Sequence, residues 1–300
     1  MPQRLLVTGA AGHLGRRVIE ILLERNATSI VATTRDPSKL ADLAAKGVEV
    51  RAADFDKPET LAPAFAGVDR LLLISTDAIY VPGQRLAQHK AAIAAAEKAG
   101  VRHIVYTSLP APQPSSESVV EDDHFWTEQT IAASAMSWTF MRHALYSDNL
   151  LWALPQAIAT GTLATATANK GRHSVTREDC ARADAAVLAS EETGRRVYEI
   201  TGPAAVTAEE VASIVTALAG KPVVHAEISP AALREGLTAT GLPSTVIGAL
   251  VGFDVATSLG FHTTVTSAIE DLTGGAPTSV RDFLTAHQGA FLPPSTGGDK

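Results

Sequence analysis

Cysteine is all but missing from this chain: of 300 residues only Cys180 is a cysteine, so an intrachain disulfide framework and a thiolate metal cluster are both excluded. A lone thiol fits a reducing compartment, and within its alanine-rich helical stretch Cys180 reads as a small buried hydrophobe. Also lacking is any apolar run of the roughly 20 residues that a bilayer span requires, so no membrane partner is expected. Met1-Pro2-Gln3-Arg4 passes directly into the first apolar run, without the leader pattern of a secreted chain, and the expected location is cytoplasmic. Basic excess is missing too. Lysine and arginine number 25 against 32 acidic residues, a net charge of −7, which argues against nucleic acid as a bulk electrostatic partner. The nine histidines include no His-x-x-x-His pair, so no metal is expected, and no Gly-x-Ser-x-Gly elbow is present. Internal repeats are absent. Hydrophobic residues at 46% and charged residues at 19% describe an ordinary globular chain, long enough for two lobes.

What is present is a glycine turn. Leu5-Leu6-Val7 reads as a strand, Val18-Ile19-Glu20-Ile21-Leu22-Leu23 as a helix, and between them Gly9, Gly12 and Gly15 stand at G-x-x-G-x-x-G spacing. A strand feeding a glycine turn that opens a helix leaves unpaired backbone N–H groups at the positive end of the helix dipole, which suits a pyrophosphate. Gly9 is expected to make the turn, Gly12 to let the backbone approach phosphates, and Gly15 to let helix and strand pack closely. Ala11, His13 and Leu14 complete the expected cradle, His13 with a neutral ring at the helix N-terminus.

The second strand, Ser29 to Thr34, ends where an NAD site usually carries the carboxylate that accepts the ribose 2′-hydroxyl. Here Arg35 stands there instead. A guanidinium pairs with a 2′-phosphate in a fork, so the expected cofactor is NADP, with Arg35 as main contact and Lys39 as second. A third strand, Val48 to Ala53, delivers Asp54 and Phe55, either to the adenine or simply to shape the turn. Asp56 and Glu59 have the spacing of a helix cap running to about Ala66. Leu71 to Ile74, a strand apolar on both faces, ends in Ser75 and Thr76; Gln84 to Ala99 is helical; Val101 to Tyr106 is a fifth strand that ends in Thr107 and Ser108. Ser75, Thr76, Thr107 and Ser108 are expected to offer hydroxyls and open backbone groups to ribose and nicotinamide. Pro110 to Ser116 reads as a loop, and Val119 to Ser134 as a helix carrying His124, Trp126, Glu128 and Gln129.

Ser137 to Arg142 reads as a sixth strand whose end releases His143, Tyr146, Ser147, Asp148 and Asn149. Past residue 150 the alternation loosens. A short strand at 161–165, a helix opened by Thr176-Arg177-Glu178-Asp179, a strand at 196–200 and a helix opened by the capping box of Thr207 and Glu210 are expected, then a helical lid from His225 to Leu250 and a short helix from Val280 to His287. The fold class is therefore α/β: a Rossmann-type doubly wound parallel sheet with a smaller mixed C-terminal substrate lobe. Residues 1–150 are expected to form the NADP-binding domain, with sheet-completing segments from about 174–201, and residues 151–300 mainly the substrate lobe.

Chemistry narrows by elimination. Tyr80, Tyr106, Tyr146 and Tyr198 are followed four residues later by Gln84, Pro110, Leu150 and Gly202, so the Tyr-x-x-x-Lys pair of ordinary carbonyl reductases of this fold is missing. What remains is hydride transfer with little proton chemistry from the protein, which suits an electron-poor acceptor such as a quinone. His143 and Tyr146 are the candidates for orienting the acceptor or donating a proton.

Leu5 to Gly15, Arg35-Asp36-Pro37, Ala53-Asp54-Phe55, Leu72 to Ser75, Tyr106 to Leu109, and Arg142 with Tyr146 to Asn149 together resemble the NmrA-like atypical short-chain dehydrogenases, most nearly the NADPH-dependent quinone oxidoreductases of type 2. Ser174 to Asp179 and Gly275 to Ser279 extend the likeness over most of the chain. That resemblance implies NADPH in the glycine turn, an arginine matching Arg35 on the 2′-phosphate, and quinone reduction in a cleft between lobes. The same family also contains cofactor-sensing regulators that catalyse nothing. Thr127-Glu128-Gln129 departs from the family's Thr-Glu-Lys, and His143 stands where asparagine commonly follows the arginine. A small-molecule acceptor of quinone type is the expected partner, and a homodimer is left open.

Overall fold

The computed structural model describes residues 3–114 and 118–292. Ser115 and Ser116 of the expected loop, and the chain beyond residue 292, lie outside the described residues.

In chain order the elements are β1 (Leu5–Val7), α1 (His13–Glu24), β2 (Ile30–Thr34), α2 (Ala41–Ala44), β3 (Glu49–Ala52), α3 (Leu61–Phe65), β4 (Arg70–Leu73), α4 (Gln84–Ala99), β5 (His103–Ser108), α5 (Val119–Ala132) and β6 (Ser137–His143). They continue with α6 (Leu150–Thr160), β7 (Thr162–Thr165), α7 (Arg177–Leu188), β8 (Arg195–Ile200), α8 (Ala208–Ala219), β9 (Val224–Glu227), α9 (Pro230–Ala239), α10 (Ser244–Leu259), α11 (Ala268–Thr273) and α12 (Val280–Ala286). The chain divides into two compact units. Of the described residues, one comprises those in 3–143, 177–200 and 268–275, and the other those in 144–176, 201–267 and 276–292.

The first unit is built on a seven-stranded sheet in the order β3-β2-β1-β4-β5-β6-β8, parallel throughout. Order reverses between β1 and β4, the switch point of a doubly wound sheet, where ligands bind beyond the strand ends. Strand alternation sends Leu6, Leu71, Leu73, Ile104 and Tyr106 into one core with Leu61 and Phe65 of α3, Ala92 and Ile93 of α4 and Ile131 of α5. The opposite face is covered by α1 and α7, which pack on one another. The Rossmann-type expectation is borne out. Cys180 is fully buried in α7.

The second unit has a two-stranded parallel sheet, β7 with β9, and a separate core in which Leu154 and Ile158 of α6 meet Val211, Ile214 and Val215 of α8 and Phe283 and Leu284 of α12. The expected helix from 225 to 250 is corrected. His225 lies inside β9, paired with Leu163, and two helices follow, separated at Gly241-Leu242-Pro243, where φ of Gly241 is +78° and proline cannot continue a helix. The capping box at Thr207 forms as expected, with Thr207 Oγ1 accepting from Glu210 N–H and Glu210 Oε2 accepting from Thr207 N–H. By contrast Asp56 caps no helix. Pro58–Thr60 is a short 3-10 turn before α3, with Lys57 at its cap position, and the Asp56 carboxylate is drawn off by side chains of α4. No helix among the described residues is long and apolar enough to cross a membrane.

Candidate cofactor site

The glycine turn leaves β1 at the switch point. Thr8 N–H donates to Leu72 O, Ala10 N–H to Thr33 O, and Gly12 N–H to Gly9 O, so the turn is pinned to both neighbouring strands and to itself. Each glycine has its own reason. Gly9 sits at φ +59°, a left-handed conformation; a Cβ on Gly12 would lie 3.2 Å from Gly9 O; a Cβ on Gly15 would lie 2.6 Å from the same oxygen. Helix α1 begins at His13 with Gly12 as its cap, and the cap has no side chain to satisfy the first amides. His13, Leu14 and Gly15 are the first three helical residues, whose N–H groups have no intrahelical partner. Ala11, Gly12 and His13 are exposed while Leu14 and Gly15 are buried. A concave backbone with unspent donors at a helix N-terminus fits a pyrophosphate group.

Arg35 follows β2 directly and is exposed, as is Lys39. Neighbouring arginines are committed: Arg16 to Asp42 at 2.7 Å and Arg17 to Glu24 and Glu178, both at 2.8 Å. Arg35 makes no hydrogen bond or ion pair among the described residues, although its charge helps hold Asp56 below the ordinary aspartate range, after the hydrogen bonds from Gln88 and Gln84. A guanidinium left unspent at the end of β2 fits a 2′-phosphate. Asp54, half-buried, accepts from Asp56 N–H at 3.1 Å and lies 3.7 Å from Lys57 Nζ, while Phe55 packs on the core. These contacts lie within and beneath the turn after β3.

The expectation of open groups after β4 and β5 is corrected. β5 extends through Ser108, so Thr107 and Ser108 are strand residues, 3% and 5% exposed. Three successive amides after β4 are each taken by a side chain: Ile74 N–H by Thr8 Oγ1 at 2.8 Å, Ser75 N–H by Thr107 Oγ1 at 2.9 Å, and Thr76 N–H by His89 Nε2 at 3.0 Å. Thr76 Oγ1 donates to Gln88 Oε1, and Ser108 Oγ to Glu128 Oε1, both at 2.6 Å. The hydroxyls of Thr76, Thr107 and Ser108, expected to face a ligand, donate within the protein instead.

His143 is likewise not released beyond β6. It is the strand's last residue, 4% exposed, with Nε2 2.9 Å from Asp184 Oδ1 on α7. Tyr146, in the second unit, is half-buried, its main chain held against Val175. Glu128 is clamped by Arg142, whose Nε and Nη2 reach its two oxygens at 3.0 and 2.8 Å while Nη1 reaches Glu199 at 3.1 Å. Burial, with a smaller push from the Glu128 charge, holds Glu199 above the usual range, partly offset by Arg142.

A polar network on α4 escaped the sequence reading. Arg85, Gln88 and His89 are 4%, 7% and 0% exposed. Burial, then the Arg85 charge, holds His89 and His124 well below the ordinary histidine range, so both rings are neutral. Arg85 Nη2 can only donate, so His124 Nε2 accepts it at 3.0 Å and His124 Nδ1–H donates to Tyr106 Oη at 2.8 Å. The signal was present: positions 85, 88 and 89 continue the stripe of Ala92, Ile93 and Ala96 at helical spacing, which marks them as inward-facing.

Against known proteins, residues 9–191 match the NAD(P)H-binding family. The chain is 36% identical to quinone oxidoreductase 2 of Escherichia coli (strain K12) over 94% of this chain and 97% of that one. It is 28% identical to the NAD(P)H azoreductase of Xenophilus azovorans over 96% and 99% of the two chains. Among solved structures, the NADPH-dependent quinone oxidoreductase of Escherichia coli complexed with NADPH superposes with a TM-score of 0.87 at 35% identity, covering 94% of this chain and 98% of the other. The chain belongs to the NAD(P)H-binding family, as the glycine turn implied, and is similar over nearly its whole length to the NADPH-dependent quinone oxidoreductases.

Proposed function

We propose that this protein is an NADPH-dependent reductase that passes hydride to a quinone or a similarly electron-poor conjugated acceptor. The observation that carries the reading is the pairing of the tightly packed Gly9–Gly15 turn with Arg35, an unspent guanidinium at the end of β2 where an NAD site would carry a carboxylate. Its support is the full-length likeness to reductases whose acceptors are a quinone and an azo compound, both able to take up hydride without an activating metal. The first unit would bind the cofactor and the second would supply the acceptor lobe.

NADPH, when bound, supplies the hydride. The amides of Ala11, His13, Leu14 and Gly15 would hold the pyrophosphate, Gly12, its own amide tied to Gly9 O, would let the backbone approach it, Arg35 with Lys39 would hold the 2′-phosphate, and Asp54 and Phe55 would border the adenine. Ser75, Thr76, Thr107 and Ser108 would form a rigid wall beside the ribose and nicotinamide, fixed by the hydrogen bonds that tie them to the protein. Reducing a quinone also consumes a proton at the acceptor oxygen. Tyr146, a half-buried residue just beyond β6, is the proposed donor. His143, tied to Asp184, holds the end of β6 in place. The setting is cytoplasmic, where NADPH is at hand.

Anaerobic mixing with NADPH and a panel of quinones, followed at the nicotinamide absorbance, tests the reading. NADPH oxidation well above the protein-free rate is expected, with Tyr146→Phe lowering kcat at least tenfold and leaving NADPH affinity unchanged. Tight NADPH binding with no oxidation of any acceptor would favour a cofactor-sensing role.

A further inference from the structure

Thr76 is held at every polar atom by one face of one helix. Arg85 Nε donates to its carbonyl at 2.6 Å, His89 Nε2 accepts from its N–H at 3.0 Å, and Gln88 Oε1 accepts from its hydroxyl at 2.6 Å. Residues 85, 88 and 89 stand at i, i+3 and i+4, so they share the inward face of α4. The donors and acceptors are fixed. Because Thr76 N–H donates to Nε2, the neutral His89 ring carries its proton on Nδ1 and gives it to Thr127 Oγ1 at 3.0 Å, which in turn donates to Asp123 O at 2.6 Å. Gln88 is oriented as firmly: the Asp56 carboxylate can only accept, so the amide nitrogen faces Asp56 at 2.8 Å and the oxygen faces Thr76.

Stability is a poor reason for such a network. Arg85 is a guanidinium whose side chain is 5% exposed, its nearest carboxylate oxygen, on Asp123, stands 3.8 Å away, and Nη1 has no hydrogen-bond partner. Buried charges of that kind are often matched or surpassed in stability by apolar packing. What the network does deliver is position. Thr76 follows Ser75 and Ile74, whose amides are tied to Thr107 and Thr8; Ile74 Cβ lies 3.8 Å from the place of a Cβ on Gly9, so this segment borders the glycine turn. Through Gln88 and Asp56 the same helix face also reaches the end of β3, beside Arg35.

We propose that Arg85, Gln88 and His89 are positioning residues for NADPH, holding the Ile74–Thr76 segment against the glycine turn and tying it through Asp56 to the 2′-phosphate side. The inference rests on the NADPH reading above. None of the three touches the reacting atoms; they act through Thr76, Arg85 and His89 on its backbone and Gln88 on its hydroxyl.

The test measures equilibrium NADPH binding by calorimetry, well below the thermal midpoint of each variant, for wild type, His89→Leu, His89→Gln and Gln88→Leu. Glutamine places an acceptor oxygen near the position of Nε2, so His89→Gln is the conservative replacement. Expected are a Kd about tenfold weaker in His89→Leu, recovery to within about threefold in His89→Gln, an intermediate loss in Gln88→Leu, and a KM for NADPH that rises more than kcat falls. A lowered melting temperature in His89→Leu with wild-type NADPH affinity would make the network merely structural and overturn the inference. Gln88→Leu leaves both histidines in place and decides the question should His89→Leu fail to fold, unchanged affinity again counting against it. Failure of wild type to bind NADPH at all would instead defeat the cofactor reading beneath it.

Discussion

Replacing Gly15 by alanine sets two physical effects in opposition. Within a helix alanine is favoured over glycine by about 0.5–1 kcal/mol, because glycine loses more backbone freedom on folding. Gly15 is the third residue of α1, so propensity alone predicts a more stable protein. Packing predicts the reverse. The added methyl would sit 2.6 Å from Gly9 O, 3.0 Å from Gly9 C and 3.1 Å from Ala10 Cα, all main-chain atoms with no rotamer to turn aside. Restoring an ordinary contact of 3.4 Å would part α1 from the turn by about 0.8 Å. Overpacking of that kind costs about 1–3 kcal/mol, which exceeds the propensity gain and leaves the variant about 1–2 kcal/mol less stable. Gly236→Ala is the internal control, since Gly236 is also helical, in α9, but nothing lies within 4 Å of its added Cβ. It should gain about 0.5–1 kcal/mol. Urea unfolding of both variants reads the signs directly, and NADPH titration of Gly15→Ala should show a loss approaching a hundredfold, as expected when a binding element is misplaced by nearly an ångström. A Gly15→Ala protein as stable as wild type, with undiminished NADPH affinity, would refute the close-approach argument.

Arg35→Ala should weaken NADPH about tenfold, the low end for a charge-assisted pair because the residue is exposed, and leave NADH unchanged; calorimetry with both cofactors checks the ratio. Arg70, 3% exposed, donates to Leu188 O at 2.9 Å and Val187 O at 3.0 Å, the last carbonyls of α7, and to Glu192 O beyond it at 2.5 Å. Arg70→Met removes the donor from Leu188 O and Glu192 O, while Val187 O keeps the Ser190 amide and hydroxyl, and should cost about 2–4 kcal/mol in chemical denaturation. His262 is pushed down to about 3, by burial first and then by the charges of Arg172 and His173. Its unfolded value is about 6.5, so the unfolded chain binds a proton that the folded one refuses: the stability involved is full above pH 6.5 and is lost as pH falls toward 3. His262→Gln should therefore flatten the stability profile between pH 6 and 4 by about 1.4 kcal/mol per pH unit, and an unchanged slope would show that the ring protonates without unfolding.

Where the sequence was legible, its signals were local and strong. Uninterrupted apolar runs gave β1 and β4, Gly100 stopped α4 at φ +80°, and Thr207 with Glu210 closed the capping box. Misreadings came where a short-range pattern met a long-range competitor. Asp56 looked like a cap, but Gln84 and Gln88, 28 and 32 residues away, offer their amides to the same carboxylate. Residues 225–250 read as one helix because periodicity could not show that Leu163 would pair with His225 across 62 residues of chain. His143 was placed beyond β6 because the length of that strand depends on β8, whose Ile200 stands opposite it.

The sequence by itself determined that a dinucleotide turn follows the first strand and that Arg35 stands where a carboxylate would otherwise choose the cofactor, because both depend on neighbours within a few dozen residues of chain. Only the tertiary structure decided which polar groups remain available around that turn. Ser108, Thr107, Thr76 and His143 carry hydrogen-bonding groups that composition presents as free, yet Glu128, Ser75, Gln88 and Asp184 claim them from other elements. A buried donor or acceptor must find a partner, and which partner it finds is set by how strands and helices pack, a long-range outcome that no local pattern encodes.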